Sequence, residues 1–273
     1  MTVTAVAPVE AGPRATGLRL WWRSAMIVWW RGNLRTIRFP GLVVSVAFFP
    51  LFFLIAYTGL FPSLTDIPTF PTDSFISWLL PFTLLQGAAF SGLGAGFSTG
   101  ADIDSGFLDR LLMMPAHRSA ILFGTILMAL SRAIGIGVPV FVVGVAIGAD
   151  VTGGVLGVVS LAVAVVGMSV ISSCFALGVI YRAQDQRVAP LFQVVIFMTL
   201  FTSTAQVPLS ISTGWLHAVA RVNPVTNLLE LSRQATLPDG WSWGTTWPGL
   251  LALAGCLAVL GTFAVVGLRR LTP

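Results

Sequence analysis

Residues 75–100 are FISWLLPFTLLQGAAFSGLGAGFSTG, residues 101–118 are ADIDSGFLDRLLMMPAHR, and residues 119–148 are SAILFGTILMALSRAIGIGVPVFVVGVAIG. Two long apolar runs are joined by a short charged segment. A run of about 20 apolar residues is long enough to cross the ~30 Å hydrocarbon core of a bilayer as a helix. The pattern therefore predicts two membrane spans connected by a structured charged segment.

The connecting segment has the pattern of a small capped helix. Asp104 and Ser105 can accept hydrogen bonds from the free N–H groups at a helix start. Asp109 would lie in the first turn, where a negative charge is favourable, and Pro115 would stop the helix. We therefore predict a short helix between the two spans.

This predicted helix has an apolar face. Leu108, Leu111 and Leu112 recur at the i, i+3, i+4 spacing of one helix side. An apolar face needs a surface to cover it, so we expect this helix to dock against a soluble partner.

Composition places the whole chain in a membrane. Of its 273 residues 56% are hydrophobic and 9% are charged, against about 25% charged in soluble domains. The apolar runs are long and unbroken, whereas strands of a transmembrane barrel alternate over about ten residues. The predicted fold class is an all-α polytopic membrane protein.

Six transmembrane helices are predicted, and the rest of the chain is assigned around them. Residues 1–16 have no apolar signal-peptide core and are predicted to be a disordered cytoplasmic tail, followed by a transmembrane domain over residues 17–273. The spans are placed at about residues 41–60, 77–100, 120–147, 155–180, 189–207 and 247–268.

The distribution of arginine predicts the orientation. All 15 basic residues are arginine, and twelve of them flank the spans on one side, whereas the opposite loops hold only Arg221 and Arg233. Positive charge marks the cytoplasmic side. Both termini are therefore predicted to be cytoplasmic in a cell (inner or plasma) membrane, which agrees with an even number of spans.

Several kinds of chemistry are excluded or disfavoured. The chain has no lysine, so it cannot form a phosphate loop of the G-x-x-x-x-G-K-[ST] type. Cys174 and Cys256 lie inside apolar runs, and His117 and His217 are isolated, so we predict no catalytic residues, no metal and no cofactor in this chain. The high pI near 10.5 is assigned to anionic lipid headgroups and topology, not to nucleic acid.

Residues 17–38, GLRLWWRSAMIVWWRGNLRTIR, precede the first span. Arginines at about every fourth position and two tryptophan pairs are typical of an amphipathic helix in the membrane interface. Two roles stay open for it: a topology anchor, or a functional brace for a partner or a lateral gate.

Two features inside the spans stand out. Gly92, Gly96 and Gly100 form a ladder of small residues that predicts close helix–helix packing. Arg132 lies fourteen residues after Arg118, about 20 Å along a helix, which places it near the midplane. It is either a functional charge, as intramembrane arginines often are, or a packing residue bonded to carbonyls or to a hydroxyl on a neighbouring helix.

The outer segment, residues 207–247, is predicted to hold two short helices at residues 215–221 and 225–234. Asn223-Pro224 marks the turn between them. The segment is partly apolar and rich in tryptophan, so we expect it to dip into the outer leaflet.

These features together resemble a type-2 ABC transporter permease, in the actinobacterial daunorubicin-resistance branch. One motif is residues 106–118 followed by Gly124. The other comprises Val207-Pro208, Trp215-Leu216, Asn223-Pro224-Val-Thr and Arg233. The resemblance covers nearly the whole chain. One departure is Asp104, where the family often has glutamate.

The resemblance implies an assembly of four subunits. Two permeases, identical or sister chains, would form a twelve-span core, and two separately encoded ATPase subunits would bind ATP and Mg below it. Residues 102–115 would form the coupling helix, and residues 182–187 a second contact. The implied coupling residues are Asp104, Gly106, Leu108, Asp109, Arg110, Leu111, Leu112, Pro115 and Arg118; the implied outer gate residues are Pro208, Trp215, Asn223, Pro224 and Arg233.

The expected function is export of amphipathic drugs or lipids from the cytoplasm or inner leaflet. One alternative is export of a lipid-linked glycan or cell-envelope lipid. A second is an ion-coupled secondary transporter, which the lack of deep intramembrane carboxylates disfavours. A third is a membrane enzyme or assembly factor, which the lack of a catalytic constellation disfavours.

Overall fold

The computed structural model describes residues 17–38, 40–113 and 117–271, which form ten α-helices and no strand. Two short 3-10 helices, Pro62–Asp66 and Gln186–Val188, lie in connections. The α-helices are α1 Gly17–Arg38, α2 Pro40–Leu60, α3 Phe75–Asp104, α4 Phe107–Leu112, α5 Arg118–Ala146, α6 Gly154–Ala183, α7 Ala189–Phe201, α8 Gly214–Val222, α9 Pro224–Arg233 and α10 Trp243–Arg269. The predicted tail at residues 1–16 lies outside the described residues.

Six apolar helices coincide with the six predicted spans. Four of them, α3, α5, α6 and α10, have 27 to 30 residues and are long and apolar enough to cross a membrane. The other two are α2, whose apolar stretch spans Val46–Leu60, and α7, within Gln186–Phe201. The protein is thus all-helical in its described part, with several apolar helices.

Helix α7 is shorter than the predicted fifth span. It ends at Phe201 after 13 residues, about 20 Å, and not at residue 207. The hydroxyls of Thr202 and Ser203 donate to the carbonyl oxygens of Met198 and Leu200 at 2.6 and 2.5 Å. These side chains take up carbonyls at the helix end, and the chain then turns toward the outer segment.

Helix α3 is the centre of the protein, and 94% of an apolar stretch of 18 residues within it is buried. A Cβ atom at Gly92 would lie 2.6 Å from the Ser169 carbonyl oxygen of α6, and one at Gly96 would lie 2.7 Å from Ala176 Cβ. Such distances leave no room for a side chain, so the glycines allow α3 and α6 to approach closely. The three atoms nearest to a Cβ at Gly100 would be side-chain atoms of Gln186 and Ile180, at 3.2 to 3.3 Å.

Helix α1 packs lengthwise along the first half of α5. The Trp21 indole donates to Ser119 Oγ at 2.9 Å, and the Trp29 indole donates to Ser131 Oγ at 2.8 Å. The predicted helix at residues 17–38 therefore forms with the expected bounds, and one side of it is held by α5. The opposite side exposes large apolar residues, among them Ile27, Trp30 and Ile37.

Candidate functional site

The short helix α4 starts differently from the prediction. Helix α3 continues through Asp104, and Ser105 is its C-cap, with its N–H donating to the Ala101 carbonyl. The N-cap of α4 is Gly106, at φ +63°, with no side-chain cap hydrogen bond. The predicted capping role of Asp104 and Ser105 is therefore wrong, because a glycine in the left-handed conformation ends α3 and starts α4 directly.

The other residues predicted to shape α4 are Asp109, Pro115 and Arg118. Asp109 lies in the first turn, as expected, and the helix ends at Leu112. Pro115, the predicted stop, lies outside the described residues, as do its two neighbours. Arg118 is the first residue of α5, and its guanidinium donates to the Leu271 carbonyl at 3.1 Å.

The leucine face of α4 is covered by the protein itself. Leu108 and Leu111 are 4% and 8% exposed and belong to the hydrophobic core, and Leu112 packs against that core. The prediction that these leucines form the face free to dock on a partner is wrong, because they attach α4 to the protein's own helices. The side that faces outward carries Asp104, Ser105, Asp109, Arg110 and Met113.

A salt bridge and a cation–π contact join α1 to this region. Arg31 of α1 lies 2.5 Å from Asp102 Oδ1 at the end of α3, and Arg35 lies 3.9 Å from the same oxygen. The Arg31 guanidinium also stacks 3.6 Å from the centre of the Phe107 ring in α4. One arginine thus connects three helices at the cytoplasmic end predicted from the charge distribution.

Arg132 is bonded to α1. Its Nε donates to Thr36 Oγ1 at 2.7 Å, and its Nη2 donates to the Gly32 carbonyl at 3.4 Å. These are the partners that the packing alternative expected. A Cβ atom at Gly94 of α3 would lie 3.3 Å from Arg132 Nη1, so the guanidinium of this α5 residue lies beside both α1 and α3.

We expect Arg132→Met to lower the free energy of unfolding by about 1.5–3 kcal/mol, the usual value of hydrogen bonds to a charged group. Thr36→Val removes the hydroxyl oxygen that accepts the hydrogen bond from Arg132 Nε. If the two side chains act together, the double variant will lose less than the sum of the single losses. Thermal unfolding of the detergent-purified protein measures all three. Additive losses, or lost transport with unchanged unfolding, would favour the functional alternative.

The outer segment forms the two predicted helices, α8 and α9. Asn223 caps α9: its Oδ1 accepts from the Val225 N–H at 2.9 Å, and its Nδ2 donates to the Thr199 carbonyl at 2.6 Å. Pro224 fills the first helical position, where its missing N–H costs nothing. One amide side chain therefore both starts α9 and ties it to α7.

Arg233, at the far end of α9, is fully buried. Its guanidinium donates to the Thr204 and Ala205 carbonyls at 2.5 and 3.1 Å, and to Glu230 Oε1 at 3.1 Å. It also stacks 3.4 Å from the centre of a Trp78 ring in α3. Burial lowers the pKa of Arg233 to about 10, against the opposing effect of Glu230, so the group is charged at neutral pH.

The predicted outer gate residues do not form one cluster. Asn223 and Arg233 hold opposite ends of α9, whereas Trp215 is 73% exposed on α8. Pro208 is buried, and its carbonyl accepts from the N–H groups of Ile211 and Ser212 in the turn before α8. The segment is therefore a packed structure around α9.

Residues 23–237 match the protein family described as ABC-2 type transporter. The chain belongs to the ABC-2 type transporter family. The matched region begins within α1 and ends shortly after α9, so it includes α4, Arg132 and Arg233.

Two relatives of this ABC-2 family member support the assignment. The daunorubicin resistance ABC transporter permease protein DrrB1 of Streptomyces coeruleorubidus is 30% identical over 244 residues, which cover 88% of this chain and 83% of that protein. The putative transport permease ycf38 of Porphyra purpurea is 27% identical over 256 residues, 87% of this chain and 85% of that protein. The resemblance to the daunorubicin-resistance branch is thereby confirmed.

Two structural contacts of this ABC-2 family member were missed by the sequence reasoning. One is the contact of Arg31 with Asp102 and Phe107. The other is Gln234, whose Oε1 accepts from the Ser242 N–H at 2.8 Å and from Thr246 Oγ1 at 3.1 Å, joining α9 to α10. The row of arginines at about every fourth position in α1 was a usable signal for the first contact. Nothing in the local pattern marks Gln234.

Proposed function

We propose that this chain is the membrane permease subunit of an ATP-driven exporter for amphipathic drugs or lipids. A separate ABC ATPase subunit, which holds ATP and Mg, would bind the exposed side of α4. The observation that carries the proposal is the construction of α4 in a chain of the ABC-2 family. Its leucines are locked into the core, while Asp109, Arg110 and Met113 are free to contact a partner.

The packing of α3 supports a mechanical link between the two ends of the protein. Helix α3 has 30 residues and is about 45 Å long. Its last turn is joined to α1 through the Asp102–Arg31 salt bridge, and Arg31 also stacks on Phe107 of α4. Its first turn holds Trp78 against Arg233 of α9. A displacement of α4 would therefore reach the outer segment through one buried helix, as alternating access between two states requires.

The proposed assembly has two permeases, identical or sister chains, and two ATPases. Apolar side chains of α2 and α7, such as Phe48, Phe52, Leu191 and Met198, are exposed in the single chain. They would face lipid or the second permease. Both termini are proposed to be cytoplasmic in the cell membrane, on the basis of the arginine distribution.

The substrate class is proposed from the named relative. DrrB1 is described as a daunorubicin resistance permease, and daunorubicin serves as the test compound for an amphipathic drug. Export of a lipid-linked glycan or envelope lipid would use the same architecture and is tested in the same assay.

The test is copurification followed by transport. The tagged full-length chain, purified from membranes of its own host, is expected to bring with it an ABC ATPase that contains a phosphate loop. Proteoliposomes holding both should move daunorubicin or a labelled lipid only with ATP, and a phosphate-loop lysine variant of the ATPase should abolish movement. Transport by the chain alone under a proton gradient would contradict the proposal.

A further inference from the structure

A groove of about 770 Å³ lies between α1 and the region where α3 meets α4. We call it the α1–α4 groove. Its lining is both apolar and basic: Met26, Ile27, Trp30, Arg31, Leu34, Arg35, Arg38, Ala101, Asp102, Ser105, Phe107 and Arg110. Its volume lies within the range of ~300–1,000 Å³ typical of small-molecule sites.

The charges of this groove are unbalanced. Four guanidinium groups line it, but only one carboxylate, Asp102, is present. Asp102 pairs with Arg31 and more distantly with Arg35. Within the described residues, Arg38 and Arg110 have no ion-pair partner. The groove therefore presents excess positive charge to whatever enters it, and an anion would be stabilised there.

The basic wall is held in place before any ligand arrives. The Arg31 guanidinium is fixed between Asp102 and the Phe107 ring, 3.6 Å from its centre. Helix α1 is fixed against α5 by the indoles of Trp21 and Trp29. A ligand therefore does not have to order this part of the groove when it binds.

One wall of the groove is apolar and exposed, as in a helix that lies at a membrane surface. Ile27 and Trp30, both lining residues, are 64% and 54% exposed, and Ile37 extends the same apolar exposure along α1. Exposed tryptophan and aliphatic residues beside arginines are typical of a helix at headgroup depth. A protein surface with acidic groups would match the arginines but would leave these apolar groups uncovered.

We infer that the α1–α4 groove binds an anionic phospholipid. Its headgroup phosphate would lie between Arg35 and Arg38, and its acyl chains would lie against Ile27 and Trp30. A phosphodiester satisfies the excess guanidinium donors, and the chains cover the apolar wall. The site would hold the lipid at the junction of α1 and α4.

The test measures lipid binding to the full-length permease in neutral detergent, without an ATPase, so that its outcome is independent of the proposed function. Native mass spectrometry titrates phosphatidylglycerol against phosphatidylcholine with identical chains. We expect at least roughly ten-fold tighter binding of phosphatidylglycerol. Arg35→Gln with Arg38→Gln should lower the affinity for phosphatidylglycerol at least roughly ten-fold, because each surface cation near an anionic lipid contributes about a factor of five.

The matched control removes two exposed arginines elsewhere, Arg187→Gln with Arg221→Gln, and should leave phosphatidylglycerol binding within two-fold, by a rough allowance for long-range charge. Equal binding of the two lipids, or unchanged binding in the Arg35/Arg38 variant, would overturn the inference. Complete competition by inorganic phosphate at matched concentration would assign the groove to a soluble anion. Loss of lipid binding on adding the purified ATPase, with ATPase association dependent on Arg35 and Arg38, would assign it to the protein partner.

Discussion

Arg233→Met is expected to destabilise the protein by about 3–5 kcal/mol, the usual cost of removing one partner from a buried charged network. The guanidinium donates to two carbonyl oxygens and to the Thr204 hydroxyl. Methionine would leave these groups buried without a donor. The stack on Trp78 would also be lost, so α9 would separate from α3.

Thermal unfolding in detergent and the amount of folded protein in the membrane measure this loss. Arg233→Lys should give an intermediate loss, because an ammonium group cannot reproduce the planar fork of donors. The matched control is Arg221→Met on α8, where the side chain is exposed; we expect a change within about 0.5 kcal/mol there. Equal unfolding temperatures for the Arg233 and Arg221 variants would show that the buried network contributes little.

The second large effect concerns the free side of α4. Arg110→Glu with Met113→Asp reverses one charge and adds another where both side chains are exposed. We expect copurification of the ATPase to fall at least roughly ten-fold, which corresponds to about 1.4 kcal/mol. The unfolding temperature of the permease should not change, because neither side chain is buried in the single chain.

Leu111→Asp provides the contrasting result. Leu111 is 8% exposed, and a carboxylate placed there should cost at least about 3 kcal/mol in stability. The permease variant would unfold before its association with the ATPase could be measured. Arg221→Glu with Val222→Asp, two exposed residues of α8, makes the same changes in the outer segment and should leave copurification intact. Normal ATPase binding by the Arg110/Met113 variant would contradict the assignment of α4 as the coupling helix.

Helix α4 shows where local pattern stops being informative. Its existence and Asp109 in its first turn follow from residues within a few positions of one another, whereas its length of six residues, shorter than the predicted segment 102–115, does not. The i, i+3, i+4 leucines correctly indicate an apolar side. They do not indicate whether that side meets a partner or the chain's own core, since both would bury leucine equally well.

Two arginines, one in a span and one in the outer segment, show the same limit of prediction from local sequence. Arg132 and Arg233 are conspicuous in sequence as cations in or near apolar segments. Their partners are remote: Arg132 bonds to Thr36, 96 positions away, and Arg233 donates weakly to the Trp78 carbonyl, 155 positions away. The prediction could state what kind of partner Arg132 would need, but not that α1 would supply it.

The amino-acid sequence alone determined the class of this protein, the placement of its apolar helices, the bounds of α1 and the family to which it belongs. These are properties of local composition and of hydrophobic length, which the bilayer imposes on each segment separately. The tertiary structure alone decided which side of α4 is free, why α7 stops early, what holds Arg132 and Arg233, and that α1 and α4 enclose a basic groove. Each of these depends on which helices become neighbours, and packing between helices far apart in the chain decides that.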